Sequence, residues 1–455
     1  MRREKSRSSF GVLLLFAIII GGALYIYNSK MFERDIPTIT MNSSGYWNLK
    51  NPLDISIEDM SGLKSYKIIL KTSDEDRVLY HEQFMSVQQT VHVKVEPPKS
   101  AYAMKDKEII IVVEAVDASK WNFLNGNSAV VKYKLRVDKK RPQLTTIANS
   151  YKIKKGGAAL VIFKADDDNL KDVYIQTNFG KKFIVQPFYK QGYYISLLAW
   201  PITKRNFSAT IIATDKANNI SKTKVPLYIK DKKYRLSNIK ISDKFLKGKI
   251  ADLAEEFSET QGVTEPIEQF KIINEDVRAK NEKLIHEITS KVSGEMISDF
   301  NINKMYPLKN AAIVAHFGDH RIYSYKGKDI SESYHLGLDM ASNAMAKIKP
   351  QNAGDVVFAQ YNGLYGNMPI INHGLGLYTL YGHCSTLNIS SGDSIKAGAH
   401  IANTGKSGYA MGDHLHFGVL IQGIEVRPAE WMDSTWMKLN IGDIIKSAKE
   451  IIDRG

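Results

Sequence analysis

The chain has 455 residues, of which 44% are apolar and 24% charged, a composition that excludes a disordered or fibrous protein. Its length exceeds what one hydrophobic core supports, so several domains are expected. The net charge of +14 would favour binding to an anionic surface, although a solvated protein surface is the simpler interpretation. Nucleic acid is not an expected partner, because no recognisable nucleic-acid-binding motif is present. Cys384 is the only cysteine, which excludes an intrachain disulfide.

The N-terminal segment contains an uncharged apolar run from Phe10 to Tyr27 that is just long enough to cross a bilayer. Four basic residues precede it: Arg2, Arg3, Lys5 and Arg7. Their charge predicts a cytoplasmic N-terminus. A cleaved signal peptide is the alternative, because Gly21, Gly22 and Ala23 offer a cleavage site, but the run continues past them. We therefore predict a cytoplasmic tip and transmembrane anchor over residues 1–30, in the inner membrane, with the rest in the periplasm or another extracytoplasmic space.

The next two segments show the pattern of antiparallel β-sandwiches. Short β-branched runs such as Ile109-Ile-Ile-Val-Val113 are separated by Gly, Ser, Asp and Pro. Three features of the first segment recur in the second: Ala115-Val-Asp117 as Ala213-Thr-Asp215, Asn125-Gly-Asn127 as Asn218-Asn219, and Asp138-Lys-Lys140 as Asp231-Lys-Lys233. The repeat predicts two tandem immunoglobulin-like domains, at 36–140 and 141–235.

Helical periodicity begins near Ser242 and predicts a hairpin over residues 240–304. Ser242 or Asp243 can cap the first helix, and Thr264 the second, with Pro266 in its first turn. The apolar faces of both helices must be buried, by packing on each other or on the next domain. After Pro307 the pattern returns to short strands, so 305–432 is predicted to be an all-β domain and 433–455 a C-terminal helix.

Histidines are concentrated in this all-β domain: eight of the eleven lie between His316 and His416. Two spacings are typical of metal sites, His335 with Asp339 and His414 with His416. Strand residues two or four apart point to one face, so each pair is expected to address one centre. Two imidazoles and one carboxylate suit zinc, and three protein ligands leave a fourth position for a water whose pKa falls to about 7.

These motifs resemble the lysostaphin-type peptidoglycan endopeptidases, and the resemblance extends from about Phe317 to Trp431. The matching segments are Phe317-Gly318 with Arg321, His335-Leu-Gly-Leu-Asp339, Asn372-His-Gly374, Tyr381-Gly-His383, Gly392-Asp393, Gly398, Thr404-Gly405, Gly412-Asp-His-Leu-His-Phe417 and Arg427-Pro428. Both metal motifs occur in the order and spacing of that family.

The resemblance implies one Zn²⁺ ion bound by His335, Asp339 and His416. It makes His383 and His414 the unligated catalytic pair. One imidazole would take a proton from water, and the other would stabilise the oxyanion or protonate the leaving amine, with the assignment between them left open.

The other histidines of the domain are predicted to lie outside the site. His316, His320 and His400 have no motif partner, and His373 belongs to a turn that is structural in the family. Cys384 stands where the family commonly has leucine, and we expect a buried apolar thiol.

The sequence thus predicts a multidomain, mainly β protein: an N-terminal transmembrane helix, two immunoglobulin-like β-sandwiches, a helical hairpin and a C-terminal lysostaphin-type zinc peptidase domain. The implied activity is zinc-dependent endopeptidase hydrolysis of peptidoglycan cross-links or stems in cell-wall remodelling. The alternative is a regulatory module that activates other wall hydrolases. A D-alanyl-D-alanine peptidase of the other zinc family fits less well, because its His and Asp ligands are more widely spaced. Residues 241–303 are a candidate restraint on the site, and the oligomeric state is open.

Overall fold

The structure, a computed structural model, describes residues 8–102 and 104–454. The four basic residues of the predicted cytoplasmic tip lie outside the described residues. The chain forms two compact units. Unit 1 comprises residues up to Pro142 together with 167–171 and 214–220, and unit 2 comprises 143–166, 172–213 and the chain from Ser221 onwards.

The first helix, α1 (Ser8–Asn28), contains the apolar run. Its stretch from Phe10 to Asn28 is strongly apolar and none of it is buried. The helix is therefore long and apolar enough to cross a membrane, although an N-terminal signal sequence can have the same length and composition.

Unit 1 is built around a six-stranded sheet whose main path runs β1-β3-β5-β6-β2, with β4 paired to β3. The strands are β1 (Thr38–Asn42), β2 (Tyr46–Trp47), β3 (Leu53–Lys71), β4 (Asp76–Val95), β5 (Glu108–Asp117) and β6 (Ser128–Val137). Buried and exposed residues alternate along the first half of β3, as expected of a sheet with one face on a core. The core includes Ile57, Ile68 and Ile111, none of which has any exposed surface. A helical turn, α2 (Trp121–Leu124), connects β5 to β6.

The following strands form two four-stranded sheets, in the orders β11-β10-β14-β15 and β12-β13-β9-β7, and a two-stranded pair of β16 with β8. The strands are β7 (Gln143–Asn149), β8 (Lys152–Lys154), β9 (Ala158–Asp166), β10 (Leu170–Thr177), β11 (Lys182–Ile184), β12 (Gln186–Pro187), β13 (Tyr193–Ala199), β14 (Ala209–Asp215), β15 (Ile220–Lys224) and β16 (Tyr228–Lys230). The chain is mainly β, as predicted, while the immunoglobulin-like assignment and the domain boundaries stay predictions.

Two continuous helical stretches, over 243–256 and 266–288, occupy the predicted hairpin. They comprise α3 (Asp243–Phe245), a π-turn (Leu246–Ile250) and α4 (Ala251–Glu256), then α5 (Pro266–Ile272), a π-turn (Ile273–Val277) and α6 (Arg278–Ile288). The Ser242 hydroxyl caps the first stretch by accepting the Phe245 N–H. The prediction that Thr264 caps the second stretch was wrong, because Glu265 is its N-cap residue. The Glu265 side chain forms no capping hydrogen bond, and Pro266 follows in the first turn.

The C-terminal β domain is an eight-stranded sheet with the main path β18-β21-β29-β25-β24-β23-β27, with β30 paired to β29. Its strands are β18 (Ala312–Ala315), β21 (Leu338–Ala341), β23 (Gly354–Tyr361), β24 (Asn367–Asn372), β25 (Leu377–Gly382), β27 (Ser394–Ile395), β29 (Leu415–Ile421) and β30 (Ile424–Val426). Two three-stranded sheets flank it, one from β17 (Leu236–Lys240), β19 (His320–Tyr325) and β20 (Lys328–Tyr334), the other from β22 (Lys347–Ile348), β26 (Thr386–Leu387) and β28 (Ala402–Asn403).

The helical stretches bury their apolar faces on this β domain. Phe270 and Ile273 have no exposed surface and share a core with Tyr323 of β19. Ile285 of α6 belongs to a second core, with Ile370 of β24 and other residues of the large sheet. The chain closes with α7 (Pro428–Trp431), α8 (Ser434–Met437), a π-turn (Lys438–Gly442) and the predicted terminal helix, α9 (Asp443–Arg454).

Candidate active site

The centre of the candidate site is formed where two neighbouring strands face each other. Asp339 of β21 lies directly opposite His416 of β29 in the antiparallel register. The Asp339 Oδ1 atom is 2.9 Å from the His416 Nδ1 atom. Both strands are almost entirely buried, so their side chains are held in place by packing on the large sheet.

His335 completes a group of three converging side chains. Its Nε2 atom is 2.9 Å from Asp339 Oδ1 and 3.1 Å from His416 Nδ1. The prediction that His335 and Asp339 share one strand was wrong, because His335 lies in the loop between β20 and β21. The loop nevertheless brings the imidazole to the predicted centre.

The three converging atoms fit the coordination of zinc. Zinc–ligand distances of about 2.0–2.1 Å in a tetrahedron place neighbouring ligand atoms roughly 3.3 Å apart. Here they are 2.9–3.1 Å apart, and two nitrogens with one carboxylate oxygen are donors that zinc accepts. The Nδ1–H of His335 donates to the His316 carbonyl at 2.9 Å, so its Nε2 lone pair is the one directed at the centre.

Electrostatics favour a charged Asp339 carboxylate beside a neutral His416 imidazole. Burial alone would raise the pKa of Asp339, but hydrogen bonds with His335 and His416 hold it well below its usual value. Burial lowers the pKa of His416. Asp339 is therefore ionised and His416 neutral at pH 7, the protonation states that a metal ligand requires.

The predicted catalytic pair lies beside this centre. The ring centroids of His383 and His414 are 4.8 Å apart, and His414 Nε2 is 3.8 Å from Asp339 Oδ1. Each Nδ1–H donates to a backbone carbonyl, that of Ser407 for His383 at 2.9 Å and that of Gly412 for His414 at 2.8 Å. Both Nε2 atoms therefore keep a free lone pair when the rings are neutral.

His383 occupies an unusual backbone position. It follows β25 directly, and its φ of 64° lies in the left-handed region that non-glycine residues rarely adopt. Burial and the neighbouring imidazoles of His416 and His414 lower the pKa of His383 to about 3. A strained, neutral imidazole at such a place is typical of a functional residue.

A groove of about 620 Å³ opens over these residues. Its lining includes the predicted ligands and the two predicted catalytic histidines together with apolar and aromatic side chains. Three cationic side chains also line it: Lys240, Arg278 and Arg321. The ring of Tyr365 meets that of His416 edge-on with centroids 5.5 Å apart. Sequence reasoning did not single out Tyr365, Arg278 or the carbonyls of His316 and Ser407, because no motif marks them.

The histidines placed outside the site make structural contacts, as expected. His320 pairs with Glu332, His373 with the Ala353 carbonyl and the Thr379 hydroxyl, and His400 with Asn388 and Asn403. The Cys384 thiol is fully buried, and burial raises its pKa to about 12. Only His316 contributes to the centre, and it does so through its backbone.

Comparison with known proteins identifies this part of the chain. The sequence model of Peptidase family M23 matches residues 333–428. The chain carries a lysostaphin-type M23 peptidase domain at its C-terminus. The M23 match contains all five predicted site residues, whereas the His316 carbonyl and the cationic side chains of the groove lie before it in the sequence.

Relatives of the M23 domain include a protein named as a peptidase and a protein named as an activator of hydrolases. The DD-carboxypeptidase/endopeptidase Mpg of Neisseria meningitidis serogroup B is 33% identical over 94 residues, which are 21% of this chain and 22% of that protein. The murein hydrolase activator EnvC of Escherichia coli K12 is 30% identical over 96 residues, 21% of this chain and 23% of that one. The chain thus spans less than a quarter of either relative.

Solved structures include similar domains. The catalytic domain of lysostaphin from Staphylococcus simulans is 26% identical, with a TM-score of 0.24, and the match covers 28% of this chain and 94% of that domain.

Proposed function

We propose that the protein is a membrane-anchored, zinc-dependent endopeptidase that hydrolyses peptide bonds in peptidoglycan. The observation that carries the proposal is the convergence of His335 Nε2, His416 Nδ1 and Asp339 Oδ1 at the floor of a groove that also holds two further imidazoles. Three protein ligands with an open side are the arrangement of catalytic zinc sites.

The proposed ligands would hold one Zn²⁺ ion, which supplies Lewis acidity for attack on an amide carbonyl. Proton transfer falls to His383 and His414, whose Nε2 atoms carry the free lone pairs. A neutral imidazole can accept a proton from the attacking water and later donate one to the leaving amine. The Ser407 and Gly412 carbonyls keep both rings in the tautomer that this role needs.

The setting supports a peptidoglycan substrate. An apolar helix at the N-terminus is long enough to anchor the chain with the rest of it outside the cytoplasm, where peptidoglycan lies. The groove offers aromatic walls and cationic groups to a peptide that carries free carboxylates. Within this proposal, the domains at 36–140 and 141–235 lie between the anchor and the peptidase domain at 305–432 along the sequence.

A second candidate is a regulatory module that activates other wall hydrolases. The similarity to EnvC, which is named a murein hydrolase activator, favours it. Retention of three converging ligands and of both further histidines favours the enzyme, since a module that acts only by binding has no need of them.

The experiment uses the full chain in detergent micelles with purified sacculi. We expect release of new amines that depends on Zn²⁺, with muropeptide mass spectrometry identifying the bond cut. His414→Ala should lower the rate by about 10²–10⁴-fold while zinc stays bound. His400→Ala, outside the site, should match the unmodified protein. Zinc binding without any hydrolysis by the unmodified protein would instead support the regulatory module.

We propose further that residues 241–303 restrain access to the site. Ile241, Phe245 and Arg278 line the groove from this segment. Deleting the segment would also remove Phe270 and Ile273 from the core, so a point substitution is the sharper test. Phe245→Ala, which removes a ring 6.2 Å from that of Tyr409, should raise the hydrolysis rate. An unchanged hydrolysis rate in a folded Phe245→Ala variant would contradict the proposal that this segment restrains access to the site.

A further inference from the structure

A group of three carboxylates lies in unit 1, in a part of the molecule that the proposed peptidase activity does not use. Glu33 lies in the connection between α1 and β1, Asp59 lies in β3, and Asp117 ends β5. One carboxylate oxygen from each lies within 4.8 Å of one from each of the others. Three distant parts of the chain therefore bring negative charge to one point.

The Glu33 carboxylate has buried oxygens that lack a partner. Each of its two oxygen atoms exposes less than 1 Å², and among the described residues neither accepts a hydrogen bond of good geometry. The Ser61 hydroxyl and the Asp35 backbone N–H lower the pKa of Glu33 but do not offset its burial, because the pKa stays above its usual value. Burying a carboxylate without compensation is strongly unfavourable, so such a group points to a ligand that supplies positive charge.

Hydrogen bonds hold the other carboxylates toward the same point. Asp117 accepts from the backbone N–H of Ser119 at 3.0 Å and of Asn127 at 2.7 Å, and from the Asn127 side-chain amide at 2.7 Å. That amide also donates to the Glu33 carbonyl at 2.9 Å, which ties the segment after α1 to this loop. Asp59 accepts from the backbone N–H of Ser61 at 2.8 Å.

Within residues 8–102 and 104–454, no cationic side chain pairs with these carboxylates. Among the side chains that the structure describes, none of Lys, Arg or His forms an ion pair with the three carboxylates. The nearby Arg34 guanidinium instead lies over the rings of Tyr27 and Trp121, at 5.0 and 4.4 Å from their centroids. Burial, with repulsion from neighbouring carboxylates, raises the pKa of both Glu33 and Asp59.

We propose that Glu33, Asp59 and Asp117 bind one Ca²⁺ ion. The side-chain donors are carboxylate oxygens alone, which suit a hard cation and offer zinc none of its preferred nitrogen or sulfur ligands. Calcium accepts six to eight oxygens in irregular geometry, so backbone carbonyls and water can complete its shell. The ion would fasten the segment that follows α1 to β3 and β5, so that unit 1 is ordered up to its first helix only when calcium is present.

A second group in unit 1 repeats part of this arrangement. Asp138, Asp167 and Asp215 also bring one oxygen each within 4.8 Å of one another. Asn219 donates to Asp215 through its backbone N–H and its amide, both at 2.8 Å, and to the Asp138 carbonyl at 2.9 Å, as Asn127 does in the first group. None of these three carboxylates has a buried oxygen without a partner, so the proposal is confined to the first group.

The test measures calcium binding by the full chain in detergent micelles, after removal of divalent ions. Trp121 adjoins the site, because its backbone N–H donates to Ser119, and should sensitise the emission of bound Tb³⁺. We expect Tb³⁺ emission excited through tryptophan, displaced by Ca²⁺. Glu33→Gln and Asp59→Asn should each weaken calcium binding at this site at least tenfold, whereas Asp54→Asn, an exposed change in the same strand, should not.

Thermal unfolding separates calcium binding from a purely structural role. Calcium should raise the melting temperature of unit 1 in the unmodified protein but not in Glu33→Gln. Without calcium, Glu33→Gln should melt at or above the temperature of the unmodified protein, because the substitution removes repulsion. Two results would overturn the proposal: no calcium-displaceable emission at millimolar Ca²⁺, or unchanged affinity in both Glu33→Gln and Asp59→Asn.

Discussion

Replacing Gly337 by alanine tests whether the three-residue centre depends on close packing beneath it. Gly337 is buried between the predicted ligands His335 and Asp339. A Cβ atom at this position would lie 2.4 Å from Nε2 and 2.5 Å from Cε1 of His416. Ordinary contacts between such atoms are about 3.5–4.0 Å, so the imidazole or the loop must move by roughly 1 Å.

That movement is large for a metal site, where ligand distances are held within about 0.2 Å. Changes that displace a ligand through its surroundings typically reduce metal affinity about 10–100-fold, which corresponds to about 1.4–2.7 kcal/mol. We expect a loss at the upper end of this range for Gly337→Ala, together with a matching loss of peptidoglycan hydrolysis at limiting zinc.

The assay is competition for Zn²⁺ with a chromophoric chelator, and circular dichroism checks that the variant is folded. Gly412→Ala is the matched control, because its Cβ would meet no atom within 4 Å although it lies two residues before His414. Unchanged zinc affinity in a folded Gly337→Ala variant would refute the argument that packing against His416 holds the centre in shape.

Two further substitutions test the helix that supports the site. Burial, with repulsion from Glu425, raises the pKa of Glu282 to about 7, so the folded state holds this proton more tightly than the unfolded chain, whose pKa is about 4.5. The stabilisation that this bound proton provides is complete below pH 4.5 and is lost as pH rises through 7. Between pH 5 and pH 8, the stability of Glu282→Gln relative to the unmodified protein should therefore rise by an amount on the order of 3 kcal/mol. The exposed Glu287→Gln should show no such gain. Chemical denaturation at pH 5 and pH 8 measures the free energy of unfolding of each variant. Equal pH dependence of that free energy in Glu282→Gln and the unmodified protein would contradict the prediction. The Asn281 side chain accepts the Leu364 N–H at 2.8 Å in a buried position, so Asn281→Ala should lower the free energy of unfolding by about 1–3 kcal/mol. A change below 0.5 kcal/mol in the same denaturation would show that this bond is replaced.

Local patterns in the sequence predicted most element types and marked the candidate site residues. Alternation along β3, the apolar run in α1 and the histidine spacings each act over a few residues, and the physics that they report is local. The prediction that Asp339 and His416 share one metal ion came from the resemblance to lysostaphin-type endopeptidases, because the two spacings do not by themselves show that both pairs address the same centre. His335 was predicted to belong to the same centre for a reason that the structure corrects, since a loop and not a shared strand brings it there.

Contacts between distant segments were decided only by the tertiary structure. The carbonyls of Ser407 and His316 select the tautomers of His383 and His335, yet every residue has a carbonyl and no sequence pattern marks these two. The repeat around Asp117 was visible in the sequence, but nothing there indicated that Glu33 would reach it with a carboxylate left unpaired. Sequence periodicity reports which face of a strand is buried, whereas the partner that meets that face is set by how the whole chain packs.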